Sequence, residues 1–419
     1  MTTAQVVCVR HFGVVVCYDS RMKPFSVFPA KKRAESDLHV DRRDLLKYAG
    51  SAAGLGLLQG CATGNLIIPN YQRPLSTQPF ARPIIRTEEV VRTRVGLRPY
   101  RATGFVVRSE KVGDTQVIHN YGHGGGGITM SWGSATLSTR EVPDIADKRA
   151  VVLGYGVMGL TTARLLQQRG WQVTILAKEL PPYTTSDVAG GQWAPTSIAR
   201  AALETPAFSQ QFDEALRISF QTFEKQVGAL YGVSWKENYF MMDEVNERTR
   251  PSYLDRWPDL FPGQAMLTPE EHPFPAKHVL RFRTMLIEPA IFLPQLMREV
   301  LAAGGQIQQR EIATKEELAT LNVPVVLNCT GLGAKTLFGD TELTPIRGQL
   351  VFVPRDSRVD YITHGGVAGG DGLLYMFPRN DGILLGGTYE RGATHLTPEA
   401  ETSARIIGEH ARMAAAMRV

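Results

Sequence analysis

Three glycines, Gly154, Gly156 and Gly159, stand in G-x-G-x-x-G spacing, and the chemistry open to them is the holding of a pyrophosphate. The first permits a tight turn. The second lets the backbone approach phosphate oxygens, and the third lets a helix pack close to a strand. A helix that follows presents the free N–H groups of Val157, Met158 and Gly159 to the anion, and its dipole favours negative charge there. A second run, Gly124 to Gly127, precedes Ile128 and Thr129 and reads as a loop whose backbone comes close to a ligand. A third loop, Pro181 to Pro195, carries the hydroxyl groups of Thr184, Thr185 and Ser186 and the slim backbone of Gly190 and Gly191.

These residues need elements to position them. Ala150 to Leu153 is a short apolar run of the kind a buried parallel strand needs. Leu160, Ala163, Leu165 and Leu166 then recur at helical spacing, and Gln172 to Leu176 alternates like a strand. Strand, glycine turn, helix, strand is the context a dinucleotide fingerprint requires. Upstream, Ile84 to Arg94 reads as a helix, Phe105 to Arg108 as extended chain, and Ile128 to Leu137 as a helix. Downstream, Phe212 to Leu230 reads as an amphipathic helix and Ser234 to Met242 as a strand. Pro289 to Ala303 is a helix with proline in its first turn, and Gly305 to Arg310 and Val323 to Thr330 are strands. The fold class is α/β: a Rossmann-like nucleotide-binding domain interwoven, over residues 149–419, with an α+β substrate-binding domain at roughly 200–300 and 345–385.

With 419 residues, 43% hydrophobic and 21% charged, the chain suits a globular protein of one composite domain or two. Its net charge of +5 is concentrated in residues 1–61, which hold nine Lys/Arg against five Asp/Glu, so no nucleic-acid-binding surface is indicated. The four cysteines form neither a C-x-x-C pair nor a metal-ligand spacing. Cys329 reads as a packing residue. His119, His123, His272 and His278 read as structural or solvated.

Residues 1–60 resemble an export signal. Arg42 and Arg43 within Asp41 to Lys47 look like a twin-arginine motif, followed by a short small-residue run, Tyr48 to Leu58. Leu58-Gln59-Gly60-Cys61 resembles a lipoprotein box with Cys61 as the acylated residue. The reading predicts a partner in the twin-arginine export machinery and an exported bacterial protein, periplasmic or lipid-anchored to the envelope. That route carries folded proteins, which suits one that loads its cofactor first. Met22 is the expected start, and residues 61–83, rich in proline from Asn70 on, read as a flexible tether.

The segment 84–140 carries the sharper signal. Gly96-Leu97-Arg98-Pro99-Tyr100-Arg101, and His119-Asn120-Tyr121-Gly122-His123 running through Gly124–Gly127 to Ile128-Thr129, resemble signatures of the D-amino-acid oxidase family of FAD-dependent enzymes. Thr184-Thr185-Ser186-Asp187 with Gly190, Gly191 and Trp193, Asn328 to Gly331, Arg347-Gly348-Gln349, Tyr375 and Gly386-Gly387-Thr388 are similar to further family segments. The resemblance implies FAD as cofactor and a small amino-acid substrate. It implies that Arg98 and the Tyr375 hydroxyl bind the substrate carboxylate, and that the Gly125 loop and the helix after it face the flavin ring. It places Glu179 at the ribose and adds Ile312, Thr330 and Gly331 to the cofactor site. The implied reaction is hydride transfer from Cα to flavin N5, then hydrolysis of the imine to a 2-oxo acid and ammonia, with oxygen or a quinone as final acceptor.

Two departures stand out. The family carries an aromatic residue where Gly126 stands, so a looser flavin edge is expected; a second pocket tyrosine is replaced by Asp371. The order also differs: segments that close the family's chain here precede the fingerprint. A circular permutation with Glu141 to Lys148 as the new linker accounts for this. Open alternatives are a glycine or secondary-amine oxidase, a quinone-linked dehydrogenase, and a non-catalytic flavin-binding envelope protein.

Overall fold

A computed structural model describes the backbone of residues 6–11 and 14–19 and, in full, residues 80–245, 250–365 and 374–418. Two compact units divide at Arg73/Pro74. In the first, strands β1 (Val6–His11) and β2 (Val14–Asp19) pair antiparallel with Cys8 opposite Cys17. Arg42, Arg43 and Cys61 lie outside the described residues, as does Asp371.

The second unit is built on two sheets. After a 3₁₀ turn at Thr87–Glu89 come β3 (Arg92–Tyr100), β4 (Val106–Val112), β5 (Thr115–Tyr121) and α1 (Gly127–Arg140). The fingerprint follows as β6 (Arg149–Leu153), α2 (Val157–Gln168) and β7 (Gln172–Ala177), then α3 (Thr185–Val188), α4 (Pro206–Lys225) and β8 (Val233–Met242). The middle of the chain gives α5 (Tyr253–Arg256), β9 (Ala265–Leu267), β10 (His278–Ile287) and α6 (Pro289–Ala302). Then come β11 (Gln306–Gln309), β12 (Val325–Asn328) and α7 (Gly333–Leu337). The last stretch holds β13 (Thr344–Val353), β14 (Tyr361–His364), β15 (Tyr375–Arg379), β16 (Gly382–Gly386), β17 (Glu390–Arg391) and α8 (Ala400–Ala415).

One sheet runs β11-β7-β6-β12-β5-β4. Its first five strands are parallel and β4 is antiparallel at the edge. Chain order reverses between β6 and β12, so the two strands leave opposite ways and open a crevice at their carboxyl ends. The other sheet runs β17-β13-β16-β15-β14-β8-β10-β9, with β3 on the free side of β13. The segment ahead of the fingerprint thus supplies strands to both sheets.

Ile84 to Arg94 departs from the helical reading: only the Thr87–Glu89 turn is helical, and Arg92 onward is strand. The physical reason is β13. Its backbone pairs with β3 over nine residues, Thr344↔Tyr100 to Phe352↔Arg92, which outweighs the weak local preference of a charged stretch. The stretch 61–83 read as a tether also ends in folded structure. Phe80 packs edge-on against Tyr239, Phe274 and Tyr361, at 5.1, 5.4 and 5.5 Å. The Arg82 guanidinium donates to the Met417 carbonyl at 2.5 Å, so the end of this segment meets the residues just past α8. Among the described residues no helix is long and apolar enough to cross a membrane.

Candidate active site

The carboxyl ends of β6, β12 and β5 come together. Gly154, which follows β6, has φ +106°, and a Cβ there would lie 2.5 Å from the Cys329 carbonyl. A Cβ at Gly159 would lie 2.0 Å from the Gly154 carbonyl. Both glycines are therefore required by close approach, and α2 begins directly over the turn. Ser186 Oγ accepts the Val157 N–H at 2.9 Å. This places a hydroxyl at the helix N-terminus, beside Gly156, whose Cβ would lie 3.1 Å from it.

The other two hydroxyls of that loop are committed to the fold. Thr184 caps α3 in a reciprocal box with Asp187, its Oγ1 donating to the carboxylate at 2.6 Å. Thr185 donates to the Leu97 carbonyl at 3.1 Å, tying this loop to β3 beside Arg98. They shape the loop, where the sequence had suggested donors for the cofactor. Glu179 is exposed just past β7. Its neighbour Lys178 is drawn to Glu311 at 2.9 Å, which leaves Glu179 as the acid at the strand end. Ile312 is half-buried against the cluster containing Leu153 and Leu176. Thr330 and Gly331 follow β12, and a Cβ on Gly331 would come within 3.7 Å of Pro99.

Gly124 to Gly126 form a 3₁₀ turn running into α1. The Gly125 N–H donates to Ser197 at 3.2 Å, and Gly125 itself is exposed. Thr129 Oγ1 donates to the Ala194 carbonyl at 3.0 Å and accepts its N–H at 3.1 Å, so α1 and the Trp193 loop are locked together. Ile128 is buried, and around Gly127 a Cβ would meet nothing within 4 Å. Gly126 corrects the expectation of a loosened edge: a Cβ there would lie 2.5 Å from Ile198, which already fills the place an aromatic side chain would take. His119 and His123 are fully buried hydrogen-bonding residues. His123 bonds Ser134 at 2.7 Å, stacks on Phe105 at 4.7 Å, and is held down to about 3 by burial.

On the second sheet, β3, β13, β16 and β15 form a floor. A Cβ on Gly348 would lie 2.5 Å from an Arg98 guanidinium nitrogen, so the guanidinium rests on that glycine. Arg98 also donates to the Thr388 carbonyl at 3.4 Å. Cβ atoms on Gly386 and Gly387 would lie 2.6 and 2.7 Å from the Tyr375 hydroxyl. Burial raises the Tyr375 phenol, and the nearby Arg98 guanidinium pulls it the other way. The Arg347-Gly348-Gln349 triplet works by strand alternation. Buried Arg347 pairs with both Glu390 oxygens at 2.8 Å, and Gln349 donates to the Glu399 carbonyl at 2.7 Å. The two hold the returning chain in place while Gly348 clears the opposite face.

Beside Tyr375, across β15 and β14, stands His364. Its ring packs 5.8 Å from both Phe240 and Tyr375, and its Nε2 lies 2.6 Å from Gln192 Oε1. Gln192 donates on to Asn238 at 3.2 Å. Burial pushes His364 down to about 4. Gln192, His364, Asn238 and Ile198 were not singled out from sequence. The doublet Gly386-Gly387 and the Arg-Gly-Gln triplet were the available signal for the glycine floor.

The sequence profile of the DAO FAD-dependent oxidoreductases matches residues 149–417. The chain belongs to this family. Its relatives include the D-amino-acid oxidase of Streptomyces coelicolor, 34% identical over 279 residues, 66% of this chain and 80% of that one. The D-aspartate oxidase of Homo sapiens is 29% identical, over 62% of this chain and 74% of that one. The D-amino-acid oxidase of Rubrobacter xylanophilus is 32% identical, over 62% and 75%. As a DAO-family protein the chain is an FAD-dependent enzyme, and the residues present fit that cofactor. The α2 N-terminus with Gly154 and Gly156 suits a pyrophosphate, and Gly127 leaves open space beside the start of α1.

Proposed function

We propose that this chain oxidises D-amino acids to the imine, which water converts to the 2-oxo acid and ammonia. The observation that carries the reading is the convergence of Arg98 and Tyr375 over Gly348, Gly386 and Gly387. A planar cation and a phenol share one face, with nothing between them and the glycine backbone. Such a pair receives a carboxylate through two of the guanidinium's N–H groups and one O–H. Bound FAD supplies the two-electron acceptor.

Holding the carboxylate fixes Cα, and orientation of this kind contributes on the order of 7 kcal/mol in favourable cases. Among the described residues no side chain beside Arg98 and Tyr375 is placed to act as a strong base, and none is needed if the α-amino group arrives neutral and Cα–H leaves as hydride. His364 and Gln192 line the adjacent wall. His364 is neutral above about pH 4, so this wall is polar without being cationic and suits neutral side chains over acidic ones. The relatives' names supply the D configuration, and oxygen as the final acceptor gives hydrogen peroxide. A peroxide assay across D- and L-alanine, D-aspartate, glycine and sarcosine tests the reading. D-alanine is expected to lead, and turnover of glycine or sarcosine alone would move the chain to amine oxidation.

The order of segments supports a circular permutation. Residues 92–121 complete both sheets ahead of the fingerprint, and Arg82 touches Met417, so a link between those ends has a short way to run. A reordered chain, with residues 84–140 placed after 149–418, is expected to bind FAD. Arg42 and Arg43 support export by the twin-arginine route, and Cys61 supports lipidation; failure of Cys61 to take up labelled palmitate in a bacterial host would remove the anchor.

A further inference from the structure

Behind the Asn328–Gly331 turn runs a line of hydrogen bonds that starts at the surface. Glu110, on β4, has a side chain 31% exposed. Its Oε1 lies 3.0 Å from Nε2 of His119 on β5, which has no exposed surface. Nδ1 of His119 lies 3.0 Å from Nδ2 of Asn328 at the end of β12. Asn328 Oδ1 accepts from the Thr330 amide at 3.2 Å and from its hydroxyl at 2.7 Å. Strand register makes the line possible: His119 stands opposite Asn328 on one side and Arg108 on the other, with Glu110 two residues along β4.

Each proton on this line has one place to be. A carboxylate only accepts, so the His119 proton sits on Nε2 and Nδ1 is a lone pair. That lone pair takes an N–H from Asn328, which turns Oδ1 toward the two donors of Thr330. A second proton on His119 reverses the sense. Nδ1–H then faces an NH₂ group, and Asn328 must turn over and set its NH₂ against the Thr330 donors.

We infer that Glu110 and His119 are positioning residues: by fixing which way Asn328 faces, they hold the Thr330–Gly331 turn in the shape that receives FAD. The inference rests on that turn belonging to the cofactor site. Cofactor affinity then follows the protonation of His119. The groups around the ring are Glu110 and Arg108 from β4, Lys315 at 3.7 Å from Glu110, and Asn328 from β12. Tyr121 and Phe338 meet the ring edge-on at 5.7 and 4.7 Å, and Asp340, paired with Arg101, takes the Tyr121 hydroxyl. Burial holds His119 below the ordinary imidazole range against the pull of Glu110. FAD affinity is therefore full above about pH 6.5 and falls as the pH drops through the lowered value.

The test is the FAD dissociation constant of the full-length apoprotein, read by flavin fluorescence from about pH 8 to about pH 5. Asn328→Asp offers Nδ1–H an acceptor and makes doubly protonated His119 the matched state. Its affinity is expected to fall as the pH rises, about tenfold across the range and opposite in sign to the native protein. Glu110→Gln keeps an acceptor for Nε2–H but loses the charge, so its fall at low pH begins lower than in the native protein. Profiles of both variants that superimpose on the native one would overturn the positioning role while leaving the cofactor site standing. A native protein that takes no FAD at about pH 8 would overturn both.

Discussion

At Arg98, a guanidinium rests on a glycine floor, and its proposed contact with the substrate carboxylate is expected to act on affinity more than on chemistry. Arg98→Ala removes a charged, two-point contact worth about 3 kcal/mol, so KM for D-alanine is expected to rise roughly a hundredfold. Tyr375→Phe removes one hydroxyl and is expected to cost about 1 kcal/mol, roughly fivefold in KM. Gly348→Ala tests the floor itself, since its methyl group would lie 2.5 Å from Arg98. It is expected to raise KM as Arg98→Ala does while Tyr375 keeps its place. Steady-state kinetics separate these outcomes, and a Gly348→Ala enzyme with native KM would show that the guanidinium is held by other contacts.

Among the elements, β13 sets Gly348 under Arg98, and the β6–α2 turn sets Gly154 and Gly156 at the crevice. The turn was legible from Gly154, Gly156 and Gly159, because Gly154 and Gly159 answer close backbone approaches that a Cβ would block. Strand β3 was not legible as a strand. Arg92, Arg94 and Arg98 give it no apolar alternation, and its pairing comes from a partner some 250 residues later. The Gly124–Gly127 loop was legible as a ligand-facing loop, but Ile198 lies in a separate loop and nothing in the spacing connects the two. The hydroxyls of Thr184 and Thr185 read as cofactor donors until their partners, Asp187 and Leu97, were placed. Here the element predicts a coupling. Gly126→Tyr alone is expected to weaken FAD binding by clashing with Ile198, and Ile198→Ala in the same chain is expected to restore it. FAD titration of the two single variants and the double variant measures this, and additive effects would contradict the packing account.

For the whole molecule, buried imidazoles set the acid limit. His123 is lowered to about 3 by burial, and His119 and His410, both without exposed surface, are lowered as well. The sign follows from the unfolded chain, where histidine titrates near 6.5: below that pH the unfolded state takes protons that the native state refuses. Stability is therefore full above about pH 6.5 and is lost as the pH falls toward the native values, by a few kcal/mol near pH 4.5. Urea denaturation at a series of pH values checks this, with His123→Gln expected to flatten the acid slope. The same scale holds the unusual chain order, in which the strand bearing Arg98 is made before the fingerprint and still finds β13.

The proposed clamp of Arg98 and Tyr375 holds the carboxylate of a D-amino acid beside bound FAD. Anaerobic titration of the purified yellow protein with D-alanine tests it most directly. D-alanine is expected to bleach the flavin absorbance, L-alanine at the same concentration is not, and Arg98→Ala is expected to need roughly a hundredfold more D-alanine. Bleaching by both enantiomers alike, or an Arg98→Ala protein as sensitive as the native one, would contradict it.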